Sequence, residues 1–183
     1  ALSSAGVSSS NITLNGASLA GTGGAGSGAY VMIGHGGLNE TRDAIGTAVR
    51  TGYAEATRSG AIDIDLTGDF DFVGGAGNAS FVHVGHGGRR NNAVDTEGHS
   101  GNIEIDASTI DVIGGPGAES YSMVGHGGYQ TTGNHTGDIG LSSGGAVNVR
   151  GDLGGNDDAD RAFAQVGHGG YDADFNTADL ISV

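Results

Sequence analysis

Phe81-Val82-His83-Val84-Gly85-His86-Gly87-Gly88 is one of four versions of a single unit, aromatic-x-x-[Ile/Val]-Gly-His-Gly-Gly. The others occupy residues 30–37, 121–128 and 163–170, so that His35, His86, His126 and His168 follow one another at intervals of 51, 40 and 42 residues. Recurrence at a near-constant interval is the mark of a repeat architecture, in which each copy buries its apolar face against the next. Each histidine is flanked by glycine: Gly34 and Gly36, Gly85 and Gly87, Gly125 and Gly127, Gly167 and Gly169. Glycine serves where φ must be positive or where backbones approach closely, so the unit reads as a corner built the same way four times.

Working outward from that corner, three strand-like bursts recur in each repeat. The first is Ile12-Thr13-Leu14, Ile62-Asp63-Ile64, Ile103-Glu104-Ile105 and Ile139-Gly140-Leu141. The second lies around Leu19, then at Phe70-Asp71-Phe72, Ile110-Asp111-Val112 and Val147-Asn148-Val149. The third leads into G-H-G-G. Alternation of apolar and polar residues predicts one buried and one wet face. In the third strand, the columns Val31, Val82, Ser122, Ala164 and Ile33, Val84, Val124, Val166 are assigned inward. The aromatic column Tyr30, Phe81, Tyr121, Phe163 then faces outward, its members covering one another; the opposite phase would bury them. His83 shares a column with Met32, Met123 and Gln165 and is expected to be exposed.

Glycine-rich turns separate the second and third strands, and segments of unequal length follow each G-H-G-G. The pattern predicts an all-β fold, a parallel β-helix (solenoid) of about four and a half repeats, with a four-bladed propeller-like array as the alternative. The expected organisation is a Ser-rich arm or linker over 1–10 and a repeat domain over 11–183. Its repeats fall at about 11–59, 60–100, 101–136 and 137–177, with a partial first strand at 178–183. If each repeat forms one layer, equivalent histidines stack about 4.8 Å apart; if each winds twice, they lie about twice as far apart. The shortness and polarity of the segment after the third G-H-G-G favour one layer.

Composition narrows the function. The net charge is −14, from 21 acids against seven arginines, with no lysine, which argues against nucleic acid and anionic lipid as partners. Cysteine is absent, removing disulfides and thiolate chemistry. No apolar run is long enough for a membrane span. No signal peptide is evident and the first residue is Ala1, so a processed, secreted chain is expected.

The column His35, His86, His126, His168 has two readings. Imidazole is a common metal ligand, and a ladder of four could hold metal. Equally, an imidazole between glycines can bond backbone groups of adjacent repeats. A catalytic histidine would occur once among unlike partners, so a structural role is the reading adopted, with no catalytic residue, cofactor or resident metal expected. His99 and His135 precede the first strand where another repeat has Arg58, an interchange that predicts surface contacts. Asp63, Asp65, Asp69 and Asp71, with Asp157, Asp158 and Asp160, carry oxygen ligands suited to calcium, but they match no calcium-loop pattern and read as a solvated face. Sequons stand at Asn11, Asn39, Asn78 and Asn134.

The segments Gly101-Asn102-Ile103-Glu104-Ile105, Asp111-Val112-Ile113-Gly114-Gly115 and 163–170 resemble repeats of filamentous haemagglutinin-like bacterial surface proteins, exported by two-partner or autotransporter routes. The resemblance implies a right-handed β-helix and an extracellular stalk, adhesin or fibre, and supplies no active-site residues. The expected function is therefore that of a structural protein outside the cell, not an enzyme. Its expected partners are other copies of itself, or further repeats of a longer solenoid, stacked end to end. The alternative is a binding module taking metal on the histidine column or host or surface glycan on the variable loops.

Overall fold

The computed structural model describes residues 8–38, 57–90, 98–151, 161–173 and 181–182. Among these residues there is no helix, and every strand pairing is parallel. The first repeat forms β1 (Ser8–Ser9), β2 (Ile12–Gly16), β3 (Leu19–Thr22), β4 (Val31–Ile33) and β5 (Gly36–Leu38). The second forms β6 (Arg58–Ser59), β7 (Ile62–Leu66), β8 (Phe70–Val73), β9 (Val82–Val84) and β10 (Gly87–Arg89). The third contributes β11 (Ile103–Ala107), β12 (Ile110–Ile113), β13 (Ser122–Val124) and β14 (Gly127–Tyr129). The fourth contributes β15 (Ile139–Ser143), β16 (Val147–Arg150), β17 (Ala164–Val166) and β18 (Gly169–Tyr171), and β19 (Ile181–Ser182) follows.

Equivalent strands of successive repeats lie side by side. The sheets run β19-β15-β11-β7-β2, β16-β12-β8-β3, β17-β13-β9-β4 and β18-β14-β10-β5, with β1 paired to β6. Register is strict: Ile12, Ile62, Ile103, Ile139 and Ile181 form one column, and Val31, Val82, Ser122 and Ala164 another. Each repeat thus adds one layer. The architecture is all-β with parallel sheets, compatible with a β-helix or solenoid. A propeller-like array is not what forms, because a blade is a set of antiparallel strands within one repeat, whereas here pairing joins different repeats. Part of the stretch read as an arm, Ser8–Ser9, is a strand; residues 1–7 lie outside the described residues.

The period-two reading of the first two strands holds in the inner repeats. Ile62, Ile64, Phe70, Phe72, Ile103, Ile105, Ile110 and Val112 are buried in one core while Asp63, Asp65, Asp71 and Glu104 are exposed. Each such aliphatic or aromatic side chain contributes about 1.5–3 kcal/mol by leaving water. Asp69 caps a neighbouring turn by accepting from the Thr109 hydroxyl at 2.8 Å. Asp157, Asp158 and Asp160 lie outside the described residues, as does Asn39.

The third strand is corrected. Its aliphatic columns do enter the main core, but its opposite face is not wet: Phe81, Tyr121, Met123 and Tyr129 form a second buried cluster, with Leu38 and Phe163 packed against it. The aromatic column stacks, with ring centroids 4.9, 4.7 and 4.9 Å apart from Tyr30 through Phe81 and Tyr121 to Phe163. What buries it is a fourth strand per repeat that the sequence reading did not contain. The last two glycines of each G-H-G-G and the residue after them form β5, β10, β14 and β18, and Leu38 and Tyr129 from those strands cover the aromatics. Glu119 ties this layer together: it accepts hydrogen bonds from Arg89, from Tyr129 at 2.8 Å and from Arg161 at 2.9 Å. Burial alone would raise the Glu119 carboxyl, but the Arg89 and Tyr129 hydrogen bonds outweigh it and hold its pKa below the usual value.

Candidate functional site

The imidazole column is the feature that repeats most faithfully, and its geometry explains why. Rings of His35, His86, His126 and His168 are stacked with 4.9 Å between successive centroids and interplanar angles of 13°, 8° and 6°. Each backbone N–H donates to Nδ1 of the next repeat's ring: His35 to His86 at 3.0 Å, His86 to His126 at 3.0 Å, His126 to His168 at 2.9 Å. Since an amide can only donate, each of these Nδ1 atoms is an acceptor and carries no proton. Nε2 therefore holds the proton and donates it to a carbonyl at the start of the same repeat. The acceptors are Gly60 at 3.0 Å for His86, Gly101 at 2.7 Å for His126 and Gly137 at 2.6 Å for His168, with Ser10 in the same position at 3.1 Å from His35.

The rings of His86, His126 and His168 are thus two-way ties, joining layer to layer through Nδ1 and closing their own layer through Nε2. The flanking glycines make room for it. Gly85 and Gly125 have φ of 144° and 149°, and a Cβ on either would overlap the carbonyl group of the equivalent glycine in the next repeat. A side chain is excluded there by conformation and by space together.

Three other histidines differ from the sequence reading. His83 is fully buried, not exposed, and its Nε2 donates to the Gly125 carbonyl at 2.6 Å. His99 and His135 are also fully buried rather than at the surface; their rings stack at 5.2 Å, and the His99 N–H donates to His135 Nδ1 at 3.3 Å. Arg58, one layer earlier in the same column, is half-buried.

Burial sets the protonation state. Desolvation lowers the pKa of His83, His86 and His135 to about 4 and that of His99 to about 2. It also drives His126 well below the ordinary value, against the pull of its Gly101 hydrogen bond. Nearby groups that can carry positive charge add to the effect: Arg58 for His86 and His99, and at least one neighbouring imidazole for each of the five. At neutral pH these rings are uncharged.

Chemically, the arrangement leaves little for a ligand. In the two inner members, His86 and His126, both ring nitrogens are engaged by backbone, so a metal ion would have to displace hydrogen bonds that hold the layers together. No group of three or more His, Asp or Glu among the described residues is arranged to hold a metal. His126→Phe keeps a stackable ring but strands the His86 N–H and the Gly101 carbonyl. A loss of about 2–5 kcal/mol is expected in chemical denaturation. His35→Phe, at the edge and with no donor to Nδ1 among the described residues, is expected to cost about 1 kcal/mol or less.

No protein-family model, curated protein or solved structure matches this chain.

Proposed function

We propose that this chain is an extracellular structural protein, a β-helical building block of a filament or surface adhesin stalk whose activity is the stacking of its repeats. The observation that carries this reading is the contrast between inner and outer members of the same columns. Phe81 and Tyr121 are fully buried while Tyr30, next in their column, is 45% exposed. Val112 is fully buried while Val149 is 43% exposed, and Tyr129 is fully buried while Tyr171 is 39% exposed. Those three are the exposed large hydrophobic residues among the described ones, and all lie in the first or fourth repeat. Apolar side chains that are core in the interior and solvent-facing only at the ends mark a stack that another layer would extend.

The strand edges agree. Among the described residues β3, β4 and β5 pair on one side only, as do β16, β17 and β18 at the other end. Unpaired edges are templates for further pairing. The acidic outer face of Asp63, Asp65, Asp71 and Glu104 suits a solvated fibre wall, and the resemblance to filamentous haemagglutinin-like repeats supports the extracellular setting. Sedimentation velocity over increasing concentration, with imaging of the product, is the test. Elongated particles of constant width that lengthen with concentration are expected; a compact monomer at every concentration would remove the self-assembly reading.

A further inference from the structure

The two ends of the stack are not alike, and their differences are complementary. Every bond along the imidazole column runs in one direction, from the backbone N–H of one repeat to Nδ1 of the next. Among the described residues this leaves His35 Nδ1 without a donor at the first repeat and the His168 N–H without an acceptor at the fourth. The backbone bonds beside it run the other way, the Gly87, Gly127 and Gly169 N–H groups donating to the carbonyls of His35, His86 and His126, so that the His168 carbonyl is the acceptor an added layer would meet. The second apolar cluster is also open at the fourth repeat, as a cavity of about 350 Å³ lined by Arg161, Phe163, Gln165 and Tyr171 among others. The missing piece there is another aromatic and another β5-like residue, which is what Tyr30 and Leu38 present at the opposite end. Val149 stands out from β16, while its column begins at Gly21, a position with no side chain.

We propose, building on the structural reading above, that the two ends are halves of one heterologous interface. A second copy docks head to tail, its β3, β4 and β5 on β16, β17 and β18. The His168 N–H of one copy then donates to Nδ1 of His35 in the other, and Phe163 stacks on Tyr30. Like-to-like contact cannot satisfy this column, because two first repeats bring together two acceptors and two fourth repeats bring together two donors. A head-to-tail contact that continues the stack along its own axis does not close on itself, so its product is an open fibre.

Two features hold the fourth-repeat end in the meantime. The Gln165 amide donates to the Gly167 carbonyl at 3.3 Å and to the His168 carbonyl at 3.0 Å, and the latter is the acceptor an added layer would use. β19 places Ile181 and Ser182 on β15, in the columns that begin at Ile12 and Thr13. An incoming β2 exchanges that two-residue pairing for a ladder of the length seen between β2 and β7, which has five registered positions. Gln165→Met, which restores the side chain found at Met32 and Met123, is therefore expected to strengthen assembly.

The decisive experiment uses two variants at exposed positions, Tyr30→Arg and Val149→Arg, each checked for native circular dichroism and studied by sedimentation velocity alone and mixed. Each alone is expected to be monomeric, and their equimolar mixture is expected to form a heterodimer that grows no further, through the intact fourth-repeat end of one and the intact first-repeat end of the other. If each variant instead dimerises alone and mixing adds nothing, the contact is like-to-like and the head-to-tail inference is overturned while the structural reading stands. If the unmodified chain itself never associates, the structural reading falls first.

Discussion

Gly125→Ala is expected to destabilise the chain by about 3 kcal/mol or more, combining the strain of an L residue in a glycine-only conformation with the overpacking of a closed backbone contact. At φ 149°, with a Cβ that would overlap the Gly167 carbonyl, the residue has no relaxed alternative, because the third and fourth repeats are held in register on both sides of it. A typical domain is stable by about 5–15 kcal/mol, so this one methyl group consumes a large share. Gly144→Ala is the matched control. No atom lies within 4 Å of its Cβ position, and the change is expected to stay within about 0.5 kcal/mol. Urea denaturation of both variants separates the two cases; equal midpoints would mean that the inter-repeat glycine contact is not what sustains the corner.

The second large effect is acid sensitivity well above the carboxylate range. His83 and His135 titrate at about 4 in the folded chain and at 6.5 when exposed on unfolding, because burial disfavours their charged forms. A folded-state pKa below the unfolded one means that the unfolded chain binds more protons between those values. Stability is therefore complete above pH 6.5 and is lost as pH falls toward 4. For His83 alone the loss amounts to about 3 kcal/mol, and His86, His99, His126 and His135 shift in the same direction. Protonation of His86 or His126 at Nδ1 also cancels its bond from the preceding repeat and sets charges on rings 4.9 Å apart. Denaturation midpoints measured across pH 7 to pH 4 are expected to fall steeply and continuously. A flat profile with loss only where the aspartates and glutamates protonate would contradict neutral, buried rings.

Much of the layout was legible in the sequence because its signals are columns. The period of G-H-G-G gave layer spacing, and alternation at Ile62-Asp63-Ile64 and Phe70-Asp71-Phe72 told inward from outward. The fourth strand was not legible, since Gly87-Gly88 and Gly127-Gly128 carry no side chains to show a pattern; their strand character comes from pairing with the glycines above and below. The burial of Phe81 and Tyr121 followed from that omission, as period two specifies a wet face only when nothing packs on it. His83 and His99 were misplaced for a different reason. The half-buried members of a column, such as Met32 or Arg58, say nothing about the solvent access of the others.

Fibre diffraction from an oriented sample of the assembled protein tests most directly the claim that each repeat is one layer in a stack. The expected pattern has its reflection near 4.8 Å along the fibre axis, from strands lying across it. A 4.8 Å spacing perpendicular to the axis, from strands running along the fibre, would contradict the account.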